Sequence, residues 1–383
     1  MNKYRVFTLC VVILIMWRVY RVSGANTDEY LGSSYIVSSL APNQYLKEQE
    51  TFNLVQYNVQ LSPTIYIHEG IEERSEQIPR RVATINSGDI DVITLCEAFD
   101  DNTRRTLWRL FSTLGWAYHS KVVDSLGHLT NGGVTIISKW PILSTDQIVY
   151  TNYTGTDGIV AKGAIYVKIQ KNHTLINVFA THLQAWSKKI DKQVRIAQLK
   201  ELYSFYLSKQ IPNREPVIFA GDFNTDMINS YKEVITLFSI LKATSPFRIG
   251  SQKYTSDPET NSLVGQDGAA QLYGCQADYY CSICYSSGTT NLGWCASDLN
   301  ANRCLSSIQL LPRCKCCPKE YLDYVLYSTV HRAPIRQPTV EIIKLKAVDS
   351  FIFTNWHIGD IGEPRFLTDD LSDHYPVLAK FVF

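Results

Sequence analysis

Apolar residues fall into short runs broken by polar turns, and most runs read as strands. The first is Thr51 to Gln60, where Phe52, Leu54, Val55 and Tyr57 surround a polar Asn58 and Ser62-Pro63 ends the segment. Arg80 to Ser87 predicts a short helix that leads through Gly88-Asp89 into Val92-Ile93-Thr94-Leu95, a nearly all-apolar strand with Glu97 just beyond its end. From Thr106 to Leu114, Leu107, Leu110, Phe111 and Leu114 recur at helical spacing, which predicts an amphipathic helix with Arg104, Arg105 and Arg109 on its wet side. Gly132-Gly133 then opens a second group of strands: Val134 to Ile137, Ala164 to Ile169, and Leu175 to Ala180, the last running into Thr181-His182.

Helical spacing returns from Gln193 to Leu207. Val217 to Ala220 is a buried strand with Gly221-Asp222-Phe223-Asn224 at its tip, and a helix follows over Tyr231 to Lys242. Tyr324 to Tyr327 and Tyr375 to Phe383 are the closing strands, with no internal repeat anywhere along the chain. Strands with interleaved helices, and polar residues at strand ends, predict an α/β sandwich of two packed sheets flanked by helices, with a site at one rim.

Composition changes this picture little. At 383 residues and 45% hydrophobic content the chain can bury a sizeable core, and a formal net charge of +1 gives it no overall field toward nucleic acid or an anionic membrane, so no nucleic-acid partner is expected. Residues 1–25 have the layout of a signal peptide: Lys3 and Arg5, an apolar run from Val6 to Trp17, and the small residues Ser23, Gly24 and Ala25. The run is short for a bilayer span, which favours a cleaved signal over an uncleaved anchor and a secreted, extracellular protein. Residues 26–50 form a polar leader, and the sequons at Asn152 and Asn172 suit surface glycosylation of an exported chain.

The cysteines mark one unusual stretch. Cys10 belongs to the signal and Cys96 stands alone in a strand, but the other eight lie between Cys275 and Cys317. An even cluster in an exported chain reads as a disulfide-rich insertion over residues 275–317. Cys281-x-x-Cys284 also has zinc-site spacing, although the cluster contains no histidine; the pairing cannot be deduced from sequence.

The chemistry lies in the polar residues at strand ends: Asn58, Glu97, His182, Asp222, Asn224, Asp323, Asp373 and His374. Each alone could be a turn cap, a helix-dipole partner or a satisfied core histidine. Together they suit cleavage of a phosphate ester, with hard oxygen ligands for Mg²⁺ and two histidines to manage protons near neutral pH. The chain has no Gly-x-x-x-x-Gly-Lys-Ser/Thr loop and no Gly-x-Ser-x-Gly elbow, so water is the expected nucleophile.

Six segments in order carry a family resemblance. Tyr57-Asn58-Val59, Leu95-Cys96-Glu97, Gly133 to Ile142, Gly221-Asp222-Phe223-Asn224, Leu322-Asp323-Tyr324 and Ser372-Asp373-His374 resemble the successive motifs of the endonuclease/exonuclease/phosphatase superfamily, which implies a four-layered α/β sandwich of the DNase I-like type. Thr181 to Ala185, Arg195-x-x-Gln198, Glu320 to Tyr324 and Asp373 to Val377 are similar to the secreted sphingomyelinases, over residues 51–383 apart from the Cys-rich insertion.

The resemblance implies a Mg²⁺-dependent phosphodiesterase that releases phosphocholine and ceramide from sphingomyelin. It gives Glu97 the metal with Asn58 and Asp373 nearby, and Asp222 and Asn224 the attacking water and the phosphate. His374 becomes the general base oriented by Asp323, and His182 the group that stabilises the transition state or protonates the leaving oxygen. A second, edge ion beside Asp100 is implied for some relatives.

Those relatives dip an aromatic hairpin into the membrane just before the Asp-His pair. Here the matching stretch holds Phe351, Phe353 and Trp356, which suits peripheral membrane contact, although the same alternation fits a strand with one face in the core. Trp294 is a further candidate contact. Two other readings remain open: a nuclease or inositol-phosphate phosphatase of the same fold, and a non-enzymatic secreted binding or lytic protein.

Overall fold

The structure is a computed structural model that describes residues 49–61, 70–264, 319–354 and 365–383. The signal segment, all but the last two residues of the leader, the Cys-rich insertion, Trp294 and Trp356 lie outside the described residues. Among the described residues, no helix is long and apolar enough to cross a membrane.

Strand β1 (Thr51–Leu61) leads to helix α1 (Ile71–Val82), then β2 (Val92–Ala98) and α2 (Asp101–Thr113). The short β3 (Tyr118–His119) and β4 (Thr135–Ser138) follow, with β5 (Ile142–Val149), β6 (Gly163–Lys171) and β7 (Thr174–His182) after them. Next come α3 (Lys189–Ser208), β8 (Val217–Asp222), α4 (Tyr231–Leu241), β9 (Ala243–Thr244) and β10 (Phe247–Ile249). The C-terminal part adds β11 (Asp323–Ser328), β12 (Thr339–Ile342), β13 (Lys346–Thr354), β14 (Arg365–Asp370) and β15 (Val377–Val382).

Two mixed sheets make up the centre. One has the order β10-β12-β15-β1-β2-β4-β3, the other β5-β6-β7-β8-β11-β9, and β13 and β14 form a separate hairpin. Alternation along β1 explains the stacking: Phe52 and Leu54 enter the core between the sheets, while Val55, Tyr57, Val59 and Leu61 join Ile78, Val82, Leu107 and Phe111 beneath α1 and α2. Helices α3 and α4 pack on the second sheet through Leu199, Leu202, Phe205, Val234 and Leu237. The result is the helix, sheet, sheet, helix layering that the sequence predicts.

Several local expectations change. The helix expected over 80–87 instead spans Ile71–Val82, and Asn86, Ser87 and Gly88 all adopt positive φ beyond it, which stops helical propagation. Arg104, expected on the wet side of its helix, is 6% exposed and donates to the carbonyls of Ala98 and Phe99. The hairpin corrects two contact residues. Phe351 and Phe353 are 8% and 0% exposed and join the core under α1, because they share the strand face that packs on that helix. They are therefore not the outward anchors; the side chains facing outward are Val348, Ile352 and Leu367.

Candidate active site

Strand register assembles the site. β7 and β8 run parallel with His182 opposite Asp222, and β8 and β11 run antiparallel with Asp222 opposite Asp323, so three candidate residues stand in one row across neighbouring strands. Across the sandwich, β1 brings Asn58 beside Cys96 of β2, with Glu97 next in line. The turn into β15 supplies Asp373 and His374; it is fixed by Ser372, whose hydroxyl donates to the Asn58 carbonyl at 2.7 Å.

Two close backbone approaches make these strand ends fit. At Gly221 a Cβ would lie 2.0 Å from the carbonyl oxygen of Thr181, so only glycine lets β8 pass β7 just before Asp222. Gly133 has φ +67°, and a Cβ there would come within 2.9 Å of the Glu97 Cα. Glu97 itself has φ 58°, a left-handed conformation that is strained for a residue with a side chain and recurs at functional sites.

The acidic half of the site gathers Glu97, Asp222 and Asp373. Asn58 Nδ2 donates to Glu97 Oε1 at 2.9 Å and to Asp222 Oδ2 at 3.0 Å, so an amide donor occupies the space between two carboxylates. Its Oδ1 accepts from the Gln60 N–H at 3.1 Å; a metal-ligand role for Asn58 needs the opposite amide orientation. Burial, the largest cause in each case, raises Glu97 to about 7, Asp222 to about 6 and Asp373 to about 6, and neighbouring negative charge adds to each rise. Such a set calls for a cation. Glu97, His182 and Asp222 form one group with ligand atoms within 4.8 Å, and Asp222, Asp323 and His374 form another. Oxygen-rich donors of this kind match a hard divalent ion such as Mg²⁺. Asp100 joins neither group; its Oδ1 caps α2 by accepting from the N–H groups of Asn102 and Thr103.

The two histidines sit in opposite fields. His374 Nδ1 lies 2.7 Å from Asp323 Oδ2, and Asp323 is fully buried, so the ring donates its Nδ1–H there and Nε2 is the nitrogen that can accept a proton when the ring is neutral. Burial pulls the His374 pKa down, but Asp323, Asp373 and Asp222 outweigh it and hold the ring well above the ordinary histidine value. His182 Nε2 instead faces the Lys162 Nζ at 3.1 Å, with Asp222 Oδ2 at 3.7 Å and Glu97 Oε1 at 3.9 Å. Burial first, and then the charges on Lys162 and His374, push its pKa well below the ordinary value.

Lys162 joins this cluster without having stood out in the sequence. It is 5% exposed, donates to the Leu183 carbonyl at 2.7 Å and pairs with Asp157 Oδ2 at 3.1 Å. Its three ammonium protons thus have three acceptors, the third being His182 Nε2. The available signal was a lone charge entering the apolar strand Ala164 to Ile169. The loop after His182 is secured by the Arg195 and Gln198 motif: Arg195 donates to the Gln184 carbonyl, and Gln198 Oε1 accepts from the Gln184 N–H at 2.7 Å. Asn224 has φ 48°; its N–H donates to Asp222 Oδ1, and its Nδ2 ties back to the Leu183 carbonyl at 3.0 Å. The structure therefore brings all eight sequence candidates to one rim. Asn152 and Asn172 are both exposed.

Comparison with known proteins agrees with the fold. The profile of the Endonuclease/Exonuclease/phosphatase family matches residues 55–374. A sphingomyelinase C of Bacillus cereus is 28% identical over 375 residues, covering 91% of this chain and 94% of that protein. Among solved structures, sphingomyelinase C from Streptomyces griseocarneus superposes with a TM-score of 0.65 at 24% identity, covering 87% of this chain and 99% of the other. A Staphylococcus aureus beta toxin mutant with bound magnesium ions gives a TM-score of 0.65 at 23% identity, covering 86% and 99%.

Proposed function

Because the chain belongs to the Endonuclease/Exonuclease/phosphatase family, we propose that it is a secreted Mg²⁺-dependent phosphodiesterase that hydrolyses sphingomyelin to ceramide and phosphocholine. The phosphodiesterase part is supported by sphingomyelinase C and phospholipase C relatives that align over most of the chain. The observation that carries the mechanism is the buried Asp323–His374 pair, which leaves Nε2 as its reactive nitrogen, beside the Glu97, Asp222 and Asp373 acids.

Glu97 and Asp373, with Asn58 and Asp222 beside them, would hold the ion, which offsets negative charge on the phosphate oxygens when bound. His374 Nε2 takes a proton from water, the water oxygen attacks phosphorus, and the bond to the ceramide oxygen breaks as that oxygen takes a proton from bulk water, to which His374 then returns its own. The acids that favour a charged His374 ring would be offset by a bound cation, and Asp323 then keeps the neutral ring in the tautomer that accepts at Nε2. The Asp222 side chain and the Asn224 amide orient the water and the phosphate. Lys162 carries positive charge to the same rim and, adding to burial, favours a neutral His182, so His182 acts as an uncharged polar partner in this resting arrangement. The hairpin carrying Val348, Ile352 and Leu367 leads directly into Leu371-Ser372-Asp373-His374 and would meet the membrane beside the site.

The test is phosphocholine release from vesicles. Wild-type protein with Mg²⁺ is expected to cleave sphingomyelin in preference to phosphatidylcholine and to stop with chelator. Faster nicking of plasmid DNA than lipid cleavage would overturn the substrate in favour of a nuclease.

A further inference from the structure

Beneath the catalytic row lies a second polar layer. Gln56 is completely buried on β1, on the face that otherwise sends Phe52 and Leu54 into the core between the sheets. A primary amide in that position must find partners for both its ends. Gln56 Oε1 accepts from the Thr94 hydroxyl at 2.6 Å, and Nε2 donates to Asp323 Oδ1 at 3.4 Å and to Cys96 Sγ at 3.4 Å. The Cys96 thiol in turn donates to the Thr181 carbonyl at 3.3 Å, which leaves its sulfur as an acceptor toward Gln56. Thr94 is also fully buried.

This arrangement works in only one amide orientation. Flipping Gln56 would set its carbonyl oxygen against a buried carboxylate and a sulfur lone pair, while Thr94 would lose an acceptor. Asp323 Oδ2 is committed to His374, and Gln56 is the side-chain donor placed at the other oxygen, Oδ1. A dry carboxylate with donors on both oxygens has its plane fixed. One with a single donor can rotate away from the imidazole it must orient.

We propose that Thr94 and Gln56 are positioning residues for the phosphodiester hydrolysis: the Thr94 hydroxyl sets the Gln56 amide, which pins Asp323 and, through it, the ring of His374. The layer is built from both sheets, Thr94, Gln56 and Cys96 on one and Thr181 and Asp323 on the other, so sheet packing and the attitude of the base are coupled. The assignment rests on the hydrolytic reading of the site but not on the identity of the lipid.

Thr94→Val keeps the side-chain shape and removes the hydroxyl, whereas Thr94→Ser keeps the hydroxyl. Rates are measured on sphingomyelin in detergent micelles and on bis(p-nitrophenyl) phosphate, which separates loss of the lipid reading from loss of the relay. Partners that orient a functional group typically contribute about 10- to 100-fold, so kcat is expected to fall about 10-fold in Thr94→Val with KM unchanged. Thr94→Ser should stay within about 2-fold, and Gln56→Met should fall further. In the double variant, Thr94→Val should add nothing to Gln56→Met, because the hydroxyl acts only through the amide. A substrate-free arm reads the His374 Nδ1–H proton by NMR: a sharp downfield signal in wild type and Thr94→Ser, broadened in Thr94→Val and Gln56→Met. A folded Thr94→Val with wild-type kcat and an unchanged Nδ1–H signal would overturn the proposal, as would additive losses in the double variant.

Discussion

His374 and His182 stand on opposite sides of the same acidic cluster, and the protein treats them differently. Around His374 are three carboxylates, Asp323, Asp373 and Asp222, which favour the charged ring despite its burial. Around His182 the first charged neighbour is an ammonium, Lys162, and burial works in the same direction, so the ring stays neutral. Two histidines of the same intrinsic pKa are thus split into one that readily holds a proton and one that does not. Separated proton affinities of this kind are how one site assigns different roles to like residues.

The comparison can be broken most forcefully on the His374 side. Asp323→Asn removes the carboxylate that orients and charges the ring while keeping its shape, and kcat is expected to fall by about 10²-fold or more, the usual range for losing a general base. A loss of only a few-fold would mean that the pair is structural. On the other side, Lys162→Met removes the ammonium and keeps most of the buried stem. We expect kcat to fall about 10-fold and the His182 pKa, followed by NMR, to move upward toward its ordinary value. An unmoved His182 pKa would show that burial alone sets its state.

A smaller effect is expected in stability. Glu97, raised to about 7, and His374, raised above its ordinary value, both bind protons more tightly in the folded chain than in the unfolded one. Their contribution is full at low pH and is lost as pH rises through their folded values. His182 and His331 are lowered and act with the opposite sign, but only as pH falls through the ordinary histidine value of about 6.5. Between about pH 6.5 and 8 the first pair governs together with Glu320, which burial likewise raises to about 7. Thermal melting of chelated protein should therefore fall by a few degrees across that window, and Mg²⁺ should restore more at pH 8 than at pH 6.5. A chelated protein that melts higher at pH 8 would contradict the charge assignment.

Much of this was legible in the sequence, for physical reasons. Strands such as Val92 to Leu95 and Val217 to Ala220 are nearly continuous in apolar residues because both of their faces are covered, and the polar residue that follows each one had to lie at a rim. The eight candidates were readable for that reason. Gln56 was not, since a lone polar residue in a strand looks the same whether it faces water or a buried partner, and only the register shows which; Lys162, just ahead of β6, was not, since a lone charge at a strand's start usually faces water. The hairpin phenylalanines show the converse. Alternation predicts that one face is buried, but which face it is depends on α1 packing above Phe351 and Phe353. Helix α1 itself was obscured by a polar first half and an internal Pro79, and its position is set by tertiary contacts such as the fully buried Arg74, which donates to the Val59 and Gln60 carbonyls.

The most direct test of the account is phosphocholine release from sphingomyelin vesicles in Mg²⁺ by wild-type protein and by His374→Ala. The account predicts chelator-sensitive release by the wild type and a rate at least about 10²-fold lower for a folded His374→Ala. Release by His374→Ala within a few-fold of wild type would contradict it.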